Sequence, residues 1–344
     1  MVTAHSTPPH LAARLEDAVQ GLRERWGRRR GLVPTIVPFT GYGGTGWVRV
    51  LGRVVLRKPP APGERTDEFT GIRGWRSFTS VHVSHVEVQV SSGRSRRSIR
   101  ADRGGVLDAH IEVRLTPGWH RIRLSIEGGE TVEAPVFIVD DDVDFGLVSD
   151  IDDTVMVTAL PRPFLAAWNT FVLDEHARTP VAGMAVLYER LTVAHPGVPI
   201  IYLSTGAWNV VPTLARFLGR NLYPRGTLLL TDWGPTHDRW FRSGPEHKRT
   251  NLERLATEFP HVKWLLVGDD GQHDPSIYAD FEAAHPQNVA AVAIRQLTTG
   301  QAVLAGGRSE GAPHPGSAPW IYAPDGAGLS ARLTELGLLE KERG

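Results

Sequence analysis

The sequence contains no cysteine. Its 344 residues therefore cannot form disulfides, bind zinc through thiolates or use a cysteine nucleophile, although this does not indicate a cellular compartment. No apolar run approaches the roughly 18–20 residues that a membrane-spanning helix needs. The 38 basic and 38 acidic residues give a net charge of +0, which argues against a nucleic-acid binder that relies on bulk charge.

The first 30 residues also lack the apolar core of a secretory leader, so we expect a cytoplasmic protein. Residues 11–26 instead carry apolar side chains at helical spacing, which predicts an amphipathic helix ending near Gly27. The apolar stripe consists of Leu11, Leu15, Ala18, Val19, Leu22 and Trp26. We expect this stripe to pack on the rest of the protein, with the arginines at 28–30 in solvent. The alternative is that these arginines are attracted to an anionic membrane surface.

The next part of the chain shows short runs of alternating polarity. Examples are WVRVL at 47–51 and IRLSI at 122–126, and turn-forming Pro and Gly residues separate such runs. This pattern predicts an antiparallel β-sandwich domain over residues 31–140. The string GYGGTG at 41–46 matches a dinucleotide-binding fingerprint, but it precedes a predicted strand instead of a helix. We therefore expect a turn there.

After Asp144 the apolar runs no longer alternate, and helix-like segments separate them. Continuous apolar strands between helices are typical of a parallel sheet with helices on both faces. We therefore predict an α/β domain over residues 141–344, and the acidic run at 140–144 is expected to be a solvated link. A chain of this length agrees with two domains, with residues 1–30 as a helix in front of them.

Acidic residues follow two of the predicted strands, at the point where each strand ends. In an open parallel sheet the carboxyl ends of the strands meet, and crowded carboxylates there would repel one another unless a cation were bound. Oxygen ligands of this kind suit Mg²⁺. The carboxylates concerned are Asp150, Asp152, Asp153, Asp269, Asp270 and Asp274.

A third strand end and a lysine complete the pattern. Ser204 and Thr205 follow the apolar run at 200–203 and precede a predicted helix, where hydroxyl groups and free amides can bind phosphate. Lys248 lies at the start of a further helix and is one of only four lysines in the chain. Taken singly these residues suit ordinary capping or solvated roles, so the prediction depends on their order along the chain.

This order resembles the haloacid dehalogenase-like phosphohydrolases. Among these enzymes, the motifs are similar to those in the catalytic domain of the actin-patch-associated phosphatidate phosphatase family. The strings that carry the resemblance are SDIDDT at 149–154, YLS at 202–204, KR at 248–249 and GDDGQHDPSIY at 268–278. The similarity is close over about residues 145–297 and looser in the preceding β-region.

The resemblance implies a role for each residue. Asp150 is the expected nucleophile and forms an aspartyl-phosphate, and Asp152 is the expected general acid and base. Ser204 and Lys248, with Thr205 beside them, are expected to bind phosphate. Mg²⁺ is expected on Asp150, Asp269 and the carbonyl of Asp152. Asp270 and Asp274 remain alternatives for a further metal ligand and an outer partner.

The resemblance also implies hydrolysis of phosphatidate to diacylglycerol and phosphate, with possible peripheral contact to an anionic membrane. Aromatic and apolar residues at 161–171 and 233–242 would form an apolar rim for acyl chains or, alternatively, pack inside the domain. Five arginines could help to dock anionic lipid or could simply be solvated: Arg94, Arg96, Arg97, Arg100 and Arg103. Two other functions stay open, namely a phosphatase for a soluble phosphomonoester and a non-catalytic β-sandwich adaptor.

Overall fold

The computed structural model describes residues 11–59, 81–93, 95–157, 179–231, 244–271, 273–304, 307 and 316–341, with side chains from residue 19 onward in the first helix. The amino-terminal part contains α1 (Leu11–Arg29), β1 (Val33–Gly44), β2 (Trp47–Arg57), β3 (Glu87–Ser92), β4 (Ser95–Arg100), β5 (Val106–Glu112), β6 (Gly118–Ser125) and β7 (Val132–Ile138). The remaining part contains β8 (Phe145–Asp150), β9 (Met156–Val157), β10 (Thr179–Pro180), α2 (Met184–Ala194), β11 (Ile200–Ala207), α3 (Val211–Arg220), β12 (Thr227–Thr231), α4 (Gly244–Glu258), β13 (Lys263–Asp269), α5 (Asp274–Ala284), β14 (Val289–Arg295), α6 (Thr299–Leu304), β15 (Trp320–Ala323) and α7 (Gly326–Glu335).

The predicted α/β architecture is confirmed in its main feature, a parallel sheet. Six strands pair in the order β12-β11-β8-β13-β14-β15, and every pair is parallel. In β8 the successive residues Leu147 and Val148, which point to opposite faces of the sheet, are both fully buried. Both faces are therefore covered, which explains why these strands show continuous apolar runs.

The β-region differs from the expected sandwich of two sheets. Within the described residues, β1 to β7 form one sheet in the order β4-β3-β6-β7-β1-β2-β5. All pairs are antiparallel except β1 with β7, and the edge strands β4 and β5 contact each other, so that the sheet is nearly closed. Alternating polarity shows only that one face of each strand is buried, and it does not distinguish two packed sheets from one curved sheet.

Of the string at 41–46, only Thr45 and Gly46 form the hairpin turn between β1 and β2; residues 41–44 belong to β1, so the expected turn is shorter than predicted. Gly41 and Gly43 are required there because a Cβ atom on either would lie 2.2 Å from a backbone oxygen of β2. The link at 140–144 behaves as expected, since Asp140, Asp141 and Asp142 are exposed.

The β-region has an apolar core of its own, and some of its residues also pack into the core of the parallel sheet. Phe39 of β1 stacks on Trp208, which follows β11, with ring centroids 5.3 Å apart. The buried Tyr42 donates a hydrogen bond to Glu258 at the end of α4 (2.6 Å) and accepts one from Arg49 (2.7 Å). The β-region is therefore packed firmly against the part of the chain that carries the predicted site.

Helix α1 is present, but the described part of its apolar stripe does not pack as predicted; the side chains of Leu11, Leu15 and Ala18 lie outside the described residues. Val19, Leu22 and Trp26 are exposed, whereas Gly27 is buried against the side chains of Leu32 and Leu56. Periodicity predicts a helix and its apolar face, but not which face a neighbouring element covers. None of the described helices is long and apolar enough to cross a membrane.

Candidate active site

The carboxyl ends of β8, β11 and β13 lie side by side at one end of the parallel sheet, because β8 pairs with both other strands. β8 ends at Asp150 and β13 at Asp269, while Ser204 lies in the carboxyl half of β11. All three side chains are buried. The structure therefore brings together the three strand ends at which the sequence predicts chemistry.

Lys248 bridges two of the carboxylates. From the start of α4 its Nζ donates hydrogen bonds to Asp150 Oδ1 at 2.6 Å and to Asp274 Oδ1 at 2.5 Å, and all three residues are buried. Burial opposes the charge of the ammonium group, but Asp150 and Asp274 outweigh this effect and raise the pKa of Lys248 above its ordinary value. The two carboxylates therefore favour the positively charged form of Lys248 beside Asp150.

The acidic residues of the site form a triad that can hold a metal ion. Asp150, Asp269 and Asp274 each offer a carboxylate oxygen, and these oxygens lie within 4.8 Å of one another. Burial raises the pKa of Asp150 well above its ordinary value; Lys248 opposes this, and the surrounding carboxylates add to it. In the part of the chain that the structure describes, Asp274 Oδ2 is buried without a hydrogen-bond partner. Carboxylate oxygens are the ligands that hard divalent cations prefer. The triad offers three of them, and Asp274 Oδ2 can still accept a bond, so the arrangement fits a divalent cation.

The predicted general acid and the predicted phosphate-binding serine are in contact. Ser204 Oγ donates to Asp152 Oδ2 at 3.1 Å and accepts from the backbone N–H of Gly206 at 3.0 Å. Asp152 is half-buried, and Thr205 next to Ser204 is exposed. The two hydrogen bonds of Ser204 therefore hold its hydroxyl group beside Asp152.

Asp270 and Asp274 have different surroundings, which bears on the two alternatives left open by the sequence. Asp270 Oδ1 accepts a hydrogen bond from the backbone N–H of Leu297 at 2.8 Å, and it is not part of the acidic triad. Asp274, at the start of α5, contacts Lys248 and lies within the triad. The geometry thus favours Asp274 over Asp270 as the group close to a cation.

Two buried hydrogen bonds connect Tyr188 through Ser149 to the backbone of Asp150, and they were not expected from the sequence. We call this pair of contacts the relay. Ser149 Oγ donates to the carbonyl oxygen of Asp150 at 2.6 Å, so the 2.5 Å contact between Ser149 Oγ and Tyr188 Oη has the tyrosine as its donor. Burial raises the pKa of Tyr188 well above its ordinary value, which keeps it protonated and able to donate. Helix α2 is therefore tied to the backbone of Asp150. A Ser followed by Asp carries no sign of this contact, because Tyr188 is distant in the sequence.

Arg295 contacts the loop that follows Asp150 through the backbone of Asp153. This buried arginine ends β14, and its Nη1 donates to the carbonyl oxygen of Asp153 at 2.5 Å. Its Nε donates to Pro324 and its Nη2 to Gln301. Asp153 has a φ of 58°, a left-handed conformation that costs a non-glycine residue free energy. The contact with Arg295 therefore helps to stabilise the turn that places Asp152.

Gly268, directly before Asp269, leaves the space that Asp274 occupies. A Cβ atom at position 268 would lie 2.6 Å from Asp274 Oδ2 and 2.8 Å from a ring carbon of Tyr278. Gly268→Ala is therefore expected to lower the free energy of unfolding by about 1–3 kcal/mol, as overpacking of a buried site does. Urea denaturation measures this loss.

The matched control is Gly219→Ala in α3, where an added Cβ atom meets nothing within 4 Å. That change is expected to leave stability unchanged or raise it by about 0.5–1 kcal/mol, because alanine favours a helix over glycine. Equal stability of the two variants would show that the close approach of Asp274 to Gly268 is not maintained in solution.

Comparison with known proteins shows which protein family the segment around this site resembles. Residues 145–296 match the family described as "Phosphatidate phosphatase APP1, catalytic domain", and this segment includes every side chain of the site from Asp150 to Arg295. This segment is thus similar to a phosphatase catalytic domain. The segment is similar to the catalytic domain of the actin-patch-associated phosphatidate phosphatase family, the family that the sequence motifs resemble.

Two curated fungal proteins match over the same length. Phosphatidate phosphatase APP1 of Saccharomyces cerevisiae is 26% identical over 152 residues, and an uncharacterised protein of Schizosaccharomyces pombe is 24% identical over 152 residues. Each match covers 44% of this chain and 25% of the fungal protein. The chain thus matches about a quarter of the length of these relatives.

Among solved structures, a carbohydrate acetylesterase from Xanthomonas citri aligns over 88% of this chain and 74% of its own, with 11% identity and a TM-score of 0.31. A β-glucuronidase of glycoside hydrolase family 2 aligns over 77% of this chain and 27% of its own, with 9% identity and a TM-score of 0.20. Neither score supports a shared fold.

Proposed function

We propose that the protein is a Mg²⁺-dependent phosphatidate phosphatase, which hydrolyses phosphatidate to diacylglycerol and phosphate. The observation that carries the proposal is the buried cluster of Asp150, Lys248, Asp269 and Asp274, which lies inside the segment that matches the phosphatase family. We further propose that residues 141–344 form a haloacid dehalogenase-like domain, preceded by a β-domain over 31–140 and a helical segment over 1–30.

In the first step Asp150 attacks phosphorus. A bond forms between a carboxylate oxygen of Asp150 and phosphorus, and the bond from phosphorus to the glycerol oxygen breaks. Asp152 donates its proton to that oxygen, so that diacylglycerol leaves as a neutral alcohol. The relay from Tyr188 through Ser149 supports this step because it fixes the backbone at Asp150.

In the second step a water molecule attacks the aspartyl-phosphate at phosphorus. Asp152, now ionised, accepts a proton from the water, and the bond between phosphorus and Asp150 breaks. Inorganic phosphate leaves and both carboxyl groups return to their initial states. Before substrate binds, Ser204 donates its one hydroxyl proton to Asp152, and this hydroxyl would turn to a phosphate oxygen when the substrate is present.

Lys248 would balance part of the charge of the phosphoryl group, and the neutral hydroxyl groups of Ser204 and Thr205 would donate hydrogen bonds to its oxygens. Lys248 already contacts the nucleophile, so its ammonium group is placed to stabilise oxygens that gain negative charge in the transition state. Asp150, Asp269 and Asp274 would hold the divalent cation, with the carbonyl of Asp152 as a further ligand, and the cation would offset repulsion between carboxylates and phosphate. The preference of carboxylate oxygens for hard cations supports Mg²⁺.

The proposed substrate is a membrane lipid, so the protein would work in the cytoplasm with peripheral contact to anionic membranes. Three arginines of the predicted lipid-docking cluster, Arg96, Arg97 and Arg100, are exposed on or near the edge strand β4. Arg103 is half-buried, and Arg94 lies outside the described residues. The predicted apolar rim at 161–171 and 233–242 also lies outside them.

The test compares a lipid with a soluble substrate. Phosphate release is measured from phosphatidate in detergent mixed micelles and from p-nitrophenyl phosphate, each with and without Mg²⁺. We expect Mg²⁺-dependent release that is faster from phosphatidate. Equal rates on a soluble phosphomonoester with and without micelles would support a soluble-substrate phosphatase instead. No release from either substrate would leave the non-catalytic adaptor.

A further inference from the structure

The exposed side of α1 carries three large apolar residues at helical spacing. Val19, Leu22 and Trp26 are 45%, 63% and 54% exposed, although they form the apolar stripe that the sequence predicts to be packed inside. We call these three residues the α1 stripe. Positions three and four apart lie on one face of a helix, so the α1 stripe is one continuous surface.

The opposite side of α1 contacts the protein. Gly27 is buried against Leu32 and Leu56, and Gln20 Nε2 donates to the carbonyl oxygen of His82 at 3.3 Å. At 3.6 residues per turn, this contact face lies roughly 120° around the helix from the α1 stripe. The helix is thus held by small and polar residues, and its apolar face is directed away from the molecule.

Basic residues border the α1 stripe on both sides. By helical spacing Arg23 lies on one flank and Arg25 with Arg29 on the other, and all three are exposed. Arg30 lies over the ring of Trp26 at 3.4 Å from its centroid. The nearest described acidic residue of the helix, Glu24, lies on the contact side and is paired with Arg28.

We infer that the α1 stripe and its flanking arginines bind the surface of an anionic bilayer. An apolar face that includes Trp and Leu and is bordered by arginines is the pattern of a helix that lies in the membrane interface. Self-association through two copies of this face would bring like charges together, which disfavours a second copy as the occupant. The inference depends on α1 alone and does not require the reaction proposed above.

The test measures binding of the full chain to vesicles without substrate. The probes are phosphatidylcholine vesicles with and without phosphatidylserine, and bound protein is separated by sedimentation. L22Q/W26Q is expected to weaken binding to the anionic vesicles by at least about tenfold, because it removes apolar area that enters the interface. R23Q/R25Q/R29Q is expected to weaken it by about a hundredfold at low salt.

Two controls match these changes elsewhere on the surface. V186Q/V193Q removes two exposed apolar residues of α2, and R114Q/R121Q/R123Q removes three exposed arginines of the β-region that belong to neither predicted lipid-binding cluster. Both are expected to bind like the unmodified protein. The inference is overturned if the unmodified protein does not bind, if it binds neutral vesicles equally well, or if the controls lose as much binding as the α1 variants. It is also overturned if L22Q/W26Q binds normally.

Circular dichroism melting shows whether each variant is folded, and p-nitrophenyl phosphate turnover shows whether its site is intact. A folded L22Q/W26Q variant that has lost vesicle binding supports the inference even if no variant hydrolyses phosphatidate. Failure of the proposed reaction and failure of membrane binding are therefore seen separately.

Discussion

Asp150→Asn is expected to reduce phosphate release by a factor of about 10³ or more, because an amide cannot act as the nucleophile that forms the aspartyl-phosphate. The side chain keeps its size, and Lys248 keeps its contact with Asp274. The change also removes one of three buried carboxylates that repel one another. We therefore expect the thermal unfolding temperature without metal to stay the same or rise, which separates loss of chemistry from loss of fold.

The control for this prediction is Asp142→Asn. Asp142 is an exposed aspartate in the link before β8, so its replacement removes the same charge without touching the site. Its rate is expected to equal that of the unmodified protein. Residual activity of Asp150→Asn close to that of the control would show that Asp150 is not the nucleophile.

Lys248→Met is expected to have the second largest effect, on rate and stability together. Without the ammonium group, the carboxylates of Asp150 and Asp274 face each other in a buried place. Removing one partner of a buried ion pair costs about 3–5 kcal/mol, and loss of a charge that stabilises the transition state lowers the rate by about 10²–10³. Denaturation in urea and phosphate release measure the two effects.

Mg²⁺ should stabilise the Lys248→Met variant more than it stabilises the unmodified protein, because the ammonium group of Lys248 no longer repels the bound cation. The matched control is Lys263→Met, which removes an exposed lysine at the start of β13. If the Lys248 and Lys263 variants have the same stability and rate, the bridge between Asp150 and Asp274 does not form in solution.

The placement of the site residues at the strand ends could be predicted from the sequence for a simple reason. Asp150, Ser204 and Asp269 each follow or end a continuous apolar run, and parallel strands bring such ends together whatever the length of the connecting segments. The choice between Asp270 and Asp274 could not be predicted in this way. It depends on a contact with a distant part of the chain, in which Asp270 accepts a hydrogen bond from the backbone N–H of Leu297.

Contacts between distant parts of the chain explain what sequence reasoning missed. Tyr188 lies 39 positions from Ser149. Arg295 lies 142 positions from Asp153. A local pattern carries no signal for either pair. The same limit applies to the β-region, whose alternating strands predicted antiparallel pairing but not a single nearly closed sheet, and to α1, whose apolar face was predicted correctly while its direction was not.

The most direct test of the central claim is to trap the intermediate on Asp150. The protein is mixed with phosphatidate labelled at phosphorus in the presence of Mg²⁺, quenched with acid and digested. We predict label on the peptide that contains Asp150, released by hydroxylamine as expected for an acyl phosphate, and no label in Asp150→Asn. Turnover of phosphatidate without label on this peptide, together with turnover by Asp150→Asn, would contradict the account.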